Sequence, residues 1–312
     1  MNQKDEAISA HITESTLLQP TIQAWKFYLR DQGRSHHTLK AFEADLKLLE
    51  EFMPTDKPIG QISAKDLEDY LTWLEKDRGI PCSPKTLSRR ITSLKSFFRW
   101  LTQNAAISVD PAEKIVQKTV TSPLPTVLTP HELQVALEAA DSIRNSANPD
   151  LRPYVLLRLV LETAMKKGEC LNLKTNHLEL SDPEEAYIFV RYPNQRYRFK
   201  ERKIPVSAQW VEAYNQYAEQ YQIKDQVLPW SQRRLEYLLE DITKAGKMDK
   251  HISFDMLRWT SALNDLSNGI EQDKIRQKLG ISKIQWREVK SKLRTLATEN
   301  GYTLPEEEVT EG

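Results

Sequence analysis

Glycine is scarce in this chain, with 9 in 312 residues. Folds that cradle phosphates in glycine-rich loops fit poorly, and neither a GxGxxG nor a P-loop pattern occurs. Cysteine is scarcer still. Cys82 and Cys170 are too few for a disulfide framework and have no metal-ligand spacing, so two reduced thiols, no metal and no cofactor are expected. Net charge is missing too, because 44 Lys+Arg balance 44 Asp+Glu. A zero balance is a poor global signature for nucleic-acid binding, and it moves the question to whether positive charge is concentrated locally. Long apolar runs are absent: the most apolar stretch, residues 154–161, is broken by Arg158 and is far too short to span a bilayer. Residues 1–15 are polar and of mixed charge, which fits neither a signal nor a transit peptide, so a cytoplasmic location is expected.

What remains is a charge-rich globular chain, 39% hydrophobic and 28% charged, long enough for two domains with separate cores. Leu39, Phe42, Leu46 and Leu49 recur at helical spacing after the polar start Ser35-His36-His37-Thr38. A second helix should open at Ser63, with Asp66 as capping-box partner, bury Leu67, Tyr70, Leu71 and Leu74, and stop at Gly79. A third should begin with Ser83 as cap and Pro84 in its first turn, then run through Ile91, Leu94, Phe98 and Leu101. Four short helices around one core is the economical reading of residues 19–113. Residues 1–18 are expected to be a flexible N-terminus, and 114–126, with Pro123 and Pro125, a linker.

Residues 127–300 form the expected second domain. Thr129-Pro130-His131-Glu132 reads as a capped helix start, and an apolar helix over 153–166 should be central to the core. Between 171 and 206 the period shifts towards two, with short strands at Leu171 and Leu173, at 187–190 and at 202–206, and a turn at Pro193-Asn194. From Ala208 onward the pattern is helical, broken at Pro229, Gly246, Gly269 and Gly280. Residues 301–312 read as an acidic, disordered tail.

Positive charge is concentrated in three places. Lys85, Arg89, Arg90, Lys95 and Arg99 share residues 84–101 with no acidic residue, whereas a solvated helix face normally mixes both signs. Residues 191–203 hold six basic residues and one acidic residue, with Arg196, Arg198, Lys200 and Arg202 alternating with Tyr197, Phe199 and Glu201. Such alternation suits a strand with one charged face, either for contact with a polyanion or as an edge protected against strand pairing. Lys283, Arg287, Lys290, Lys292 and Arg294 make a weaker cluster, since lysines near a helix C-terminus are favourable in any case.

The order of several short motifs resembles the tyrosine recombinase (phage integrase) family over roughly residues 19–295. Residues 35–46, with Ser35, Thr38, Phe42, Asp45 and Leu46, are similar to that family's Ser-x-x-Thr-x-x-x-Tyr/Phe-x-x-Asp-Leu pattern. Asp110-Pro111-Ala112 stands where it usually has Asn-Pro-Ala. Residues 161–171 resemble its Thr-Gly-Leu-Arg-x-x-Glu-x-x-Leu box, with Lys166 at the arginine, and 253–259 its His-x-Leu-Arg-His box, with Leu257 and Arg258 kept and Asp255 at the histidine. Leu279-Gly280-Ile281 is similar to Leu-Gly-His.

The resemblance implies a mainly α protein: an N-terminal SAM-like four-helix core-binding domain, then a mostly helical recombinase-like catalytic domain with a small antiparallel sheet. It also implies double-stranded DNA as partner, clamped between the domains, and a nucleoid-associated location when bound. Lys85, Arg89, Arg90, Lys95 and Arg99, together with Arg196, Arg198, Lys200 and Arg202, would contact it.

In that family two arginines and a histidine grip the scissile phosphate, a hairpin lysine assists, and a tyrosine attacks to give a covalent phosphotyrosyl link. Carried over, Lys166 and Arg258 are phosphate-contacting remnants. Lys166 keeps the charge without the planar fork, and Tyr197 stands at the hairpin lysine. The nucleophile is expected near Lys290, yet residues 282–298 contain no tyrosine, and Tyr302 alone lies downstream. The resemblance therefore implies a DNA binder without the cleavage chemistry. A divergent recombinase with Tyr302 displaced, and a protein-interaction pseudoenzyme, are the alternatives. Further partners would be a second copy or an active recombinase, and no membrane. Arg258 could instead be a structural arginine paired with Asp255 on the same helix.

Overall fold

Serine and threonine set where most helices start. The structure, a computed structural model, describes residues 12–80, 82–117 and 122–305. Its first helices are α1 (Leu18–Asp31), α2 (His36–Phe52), α3 (Ala64–Thr72) and α4 (Pro84–Gln103). The side chains of Ser35, Ser63 and Ser83 each accept a hydrogen bond from the backbone N–H three residues on, closing α2, α3 and α4 at their N-termini. At Ser63 the capping box with Asp66 is complete. Helix α3 does not run unbroken towards Gly79, because residues 73–77 form one wider π turn. Trp25 is fully buried at the centre of this group, stacked on Phe42 at 5.7 Å and edge-on to Phe97 at 5.4 Å. Ala106, Ile107 and Ala112 join the same core, so the chain stays packed for some way beyond α4.

Two compact units divide the chain, Met1–Pro123 and Leu124–Gly312. The second begins with α5 (Pro130–Arg144), α6 (Arg152–Thr163) and the short α7 (Lys167–Leu171). The apolar helix expected over 153–166 is shorter. It ends at Thr163, and Ala164 follows in the left-handed region at φ 49°. That break takes Lys166 off α6 and puts it at the start of α7.

Strands β1 (Leu178–Glu179), β2 (Tyr187–Val190) and β3 (Arg202–Pro205) form an antiparallel sheet in the order β1-β2-β3. Ile188 pairs with Ile204, and the ladder ends at Val190 opposite Arg202. Strands at Leu171 and Leu173 do not form: Leu171 ends α7, and Leu173 is a buried loop residue. Residues 195–200 are not a strand either. They wind as a 3-10 helix beyond the ladder, so their basic and aromatic residues do not sort onto two faces by strand alternation.

Helices α8 (Ala208–Gln220), α9 (Gln232–Ala245), α10 (Phe254–Ser267), α11 (Gln272–Leu279) and α12 (Lys283–Asn300) complete the unit. Helix α6 is its axis: Tyr154, Val155, Leu156, Leu157, Leu159 and Val160 are buried, and α5, α8, α9 and α10 all pack on it. A second apolar cluster joins Leu263 and Leu266 of α10, Ile275 of α11, Leu293 and Leu296 of α12, and Tyr302. The chain is thus mainly helical with one small antiparallel sheet. The expected flexible N-terminus and acidic tail fall largely on 1–11 and 306–312, outside the described residues. Within the described part, Tyr302 is buried rather than part of a loose tail. No helix among the described residues is long and apolar enough to cross a membrane.

Candidate nucleic-acid interface

The break after α6 opens a cationic cleft in the C-terminal unit. Arg258, on the second turn of α10, donates from Nε to the carbonyl of Ala164 at 2.7 Å and from Nη2 to that of Leu279 at 3.4 Å. It staples the end of α6 and the end of α11 to α10, satisfying carbonyls that a helix terminus leaves open. Asp255 is only a marginal partner, with 3.9 Å between Nη1 and Oδ1 and an exposed carboxylate. Burial pulls Arg258 below the usual guanidinium range, yet the group stays a cation. Lys166, Lys167, His251, Ser253, Asp255 and Arg258 line one cleft of about 510 Å³. The two residues read as phosphate-contacting remnants therefore face the same space.

Behind the cleft stands Glu169, almost fully buried. Its Oε2 accepts from the Lys166 backbone N–H at 2.8 Å and from Arg202 Nη2 at 2.9 Å, while Oε1 accepts from Arg202 Nη1 at 3.2 Å and from the Tyr192 hydroxyl. Burial works against the charge of Glu169, but these donors, Arg202 foremost, hold its carboxyl below the usual carboxylate range. Arg202, with 8% of its side chain exposed, also donates from Nε to the Lys278 carbonyl at 2.8 Å. The fit around it is close. A Cβ on Gly280 would come within 2.8 Å of Arg202 Nη1, and Gly280 has φ +63°, so glycine is needed there twice over.

These positions change the list of expected DNA contacts. Arg202 belongs to the buried network and is not a surface group. Arg196 and Arg198 are exposed, and Lys200 lies over the rings of Tyr197 and Phe199 at 5.2 and 5.3 Å. In the N-terminal unit, Lys85 and Arg99 are exposed on α4, and Lys95 Nζ donates to the Glu113 carbonyl at 3.4 Å. Arg89 instead pairs with buried Asp45 of α2 while keeping 41% of its side chain exposed. Arg90 is turned in, 12% exposed, with Nε 3.7 Å from Asp45 and Nη1 3.1 Å from Cys82 Sγ. Two of the five basic residues of α4 thus serve a buried acid supplied by α2.

Tyr302 is far from free. Its hydroxyl donates to the Leu128 carbonyl at 2.8 Å inside an apolar cluster, and burial pushes it up to about 12. Two residues escaped sequence reasoning. Tyr192 reaches Glu169 across 23 positions, which no local pattern encodes. His251 lines the cleft four residues ahead of Asp255, just before the Ser253 cap, and its place beside that cap was its only signal.

The architecture and this cleft define a class, an N-terminal SAM-like domain joined to an integrase-type catalytic domain. Residues 22–105 match the profile described as the phage integrase N-terminal SAM-like domain, and residues 126–287 that of the phage integrase family. The chain belongs to the phage integrase family, the tyrosine recombinases. It is 25% identical over 272 residues to tyrosine recombinase XerC of Staphylococcus saprophyticus, covering 83% of this chain and 87% of that protein. It is 24% identical over 297 residues to XerD of Listeria innocua, covering 88% and 94%. Among solved structures it is similar to a lambda integrase dimer bound to a COC' core site, with TM-score 0.69 and 15% identity over 99% of this chain and 85% of that one. It is similar also to the XerH recombinase bound to palindromic difH in a post-cleavage complex, with TM-score 0.67 and 17% identity over 96% and 88%.

Proposed function

We propose that this protein binds duplex DNA in the manner of a tyrosine recombinase but does not cut it through a phosphotyrosyl link. One observation carries the reading. Lys166 and Arg258 line a common cleft where the family grips a phosphate, while α12 offers no tyrosine and the Tyr302 hydroxyl is spent on the Leu128 carbonyl. Fixed cations in a partly desolvated cleft bind phosphate, and without a nucleophile they bind without reacting. The exposed groups Arg196 and Arg198 with half-buried Lys200 on one unit, and exposed Lys85 and Arg99 on the other, would supply the phosphate contacts that set register without reading sequence. A lambda integrase dimer on DNA and a tetramer on a Holliday junction are among the similar structures. By analogy, this chain would act as an architectural DNA binder, with a second copy or as the silent member of an assembly with an active recombinase.

The test is duplex affinity across a salt series, with a denaturing gel for covalent adducts. Binding should weaken steeply with salt, and Arg196→Glu with Arg198→Glu should lower the log–log slope by about 0.9 for each phosphate no longer neutralised. No binding at low salt would overturn the DNA reading. Adducts that survive denaturant would overturn the silent active site, and their loss in Tyr192→Phe or Tyr302→Phe would name the nucleophile. Tyr192 is included because its hydroxyl meets the network behind the cleft.

A further inference from the structure

Lys166 differs from most cations around it; Lys200, a neighbour that also shows no acceptor among the described residues, lies over the Tyr197 and Phe199 rings. Lys167 pairs with Glu236 at 2.7 Å, Lys278 with Asp265 at 2.7 Å, Arg202 with Glu169, and Arg258 with backbone carbonyls. The Lys166 ammonium has no hydrogen-bond acceptor among the described residues. The neighbouring carboxylate Glu169 already spends both oxygens on Arg202, Tyr192 and the Lys166 backbone N–H, and Glu236 and Asp255, which also line the cleft, face Lys167 and Arg258. We propose that Lys166 is an amine nucleophile, and that the cleft takes an aldehyde carrying a phosphate, held as an imine on Lys166 Nζ with the phosphate against Arg258. The inference deepens the preceding reading, resting on a cleft that accepts phosphate.

Burial, with Arg258, Lys200 and Arg202 nearby, pulls the Lys166 ammonium below the usual lysine range, against the pull of Glu169. An amine so placed spends more time neutral and able to attack a carbonyl. The Nζ lone pair forms a bond to the aldehyde carbon, giving a carbinolamine. The former carbonyl oxygen then leaves as one water with the two amine hydrogens, and a C=N bond remains. No oxidant or reductant is involved. An arginine at this position could grip phosphate but not perform this step, so the exchange of a guanidinium for an amine becomes a change of chemistry. Two sources present such a ligand: a small phosphorylated aldehyde, and the ring-opened deoxyribose of an abasic site, whose aldehyde is flanked by backbone phosphates.

The experiment incubates the full chain with pyridoxal 5'-phosphate or with a duplex containing one abasic site, then adds borohydride, which reduces the imine to a stable secondary amine. Peptide mass spectrometry locates the adduct, and affinity for undamaged duplex is measured in parallel. Labelling should fall on Lys166 ahead of every other lysine and be lost in Lys166→Arg. Adducts with both probes assign the DNA source, and adducts with pyridoxal 5'-phosphate alone assign a small aldehyde. Labelling spread over surface lysines, or none on Lys166 of the unsubstituted protein, overturns the inference whether or not the variant folds. Duplex binding without an adduct overturns this inference alone, whereas a Lys166 adduct without duplex binding overturns the DNA reading and leaves this one standing.

Discussion

Asp45 in the N-terminal unit and Glu169 in the C-terminal unit are both buried acids facing arginines, with 3% and 4% of their side chains exposed. Their surroundings nevertheless move them in opposite directions. Glu169 meets Arg202 through both oxygens and adds a backbone N–H and the Tyr192 hydroxyl, so its charge is held despite burial. Asp45 concentrates Arg89 and the Ser93 hydroxyl on Oδ2, leaving Oδ1 with Arg90 at 3.7 Å. Burial therefore dominates and raises its carboxyl above the usual range. Two arginines near an acid do not guarantee a stabilised charge; a guanidinium engaging both oxygens, inside the protein, comes closer to doing so.

Glu169→Gln puts this contrast to its severest trial. Glutamine keeps the shape and one acceptor oxygen, which can still take the Lys166 N–H while the new amide N–H donates to the Tyr192 hydroxyl oxygen, so the loss falls mainly on the charge facing buried Arg202. Breaking a buried pair from one side costs about 3–5 kcal/mol, and urea unfolding of the C-terminal unit should show a loss on that scale. A loss below about 1 kcal/mol, the worth of one hydrogen bond, would mean that Arg202 finds water and that the two sites are alike after all.

Asp45→Asn should have a smaller effect, about 1 kcal/mol at neutral pH, because Arg89 can turn to solvent and the new amide oxygen would still accept from Ser93. Its pH signature has the opposite sign to that of Glu169. A carboxyl raised in the folded state contributes stability that is full below its unfolded value and is lost as pH rises through the folded one. A lowered carboxyl such as Glu169 contributes stability present above its unfolded value and lost as pH falls through the folded one. The difference in stability between the unsubstituted protein and Asp45→Asn should therefore shift in favour of the former on acidification, and for Glu169→Gln it should shift against it. Parallel slopes in the two difference curves would mean that the two acids do not differ in this way.

Much of this was legible in the chain, and the limits are physical. Helix starts were readable because a serine or threonine cap is a local event: Ser63, Ser83 and Thr129 cap as expected. Lys166 and Arg258 could be paired as remnants only through motif order, since nothing local relates positions 92 apart. The break after α6 was missed because no glycine or proline follows Pro153 within 153–166 to mark it, and the Arg258 side chain that takes up the Ala164 carbonyl comes from another helix. The same blindness made Arg89, Arg90 and Arg202 look like surface charge. Their partners, Asp45 and Glu169, lie 44, 45 and 33 positions away, beyond any pattern of one face. Residues 195–200 alternate in type but wind as a 3-10 turn, because the ladder that would enforce alternation has already ended at Val190 and Arg202.

A change no larger than that of Asp45→Asn bears on the missing nucleophile. Tyr302→Phe removes a single buried hydrogen bond to the Leu128 carbonyl while keeping the ring in the cluster around Leu263, Leu293 and Leu296. The carbonyl is left without that donor, so the loss should be about 1 kcal/mol, within the usual range for one hydrogen bond. Duplex affinity and salt slope should not move, because the hydroxyl faces the interior. A nucleophile behaves otherwise: its hydroxyl must reach a phosphate, and removing it leaves stability nearly untouched while abolishing covalent chemistry. If Tyr302→Phe left stability unchanged and altered DNA binding, Tyr302 would have to leave its cluster in the DNA complex, and the burial assigned to it would describe only the free protein.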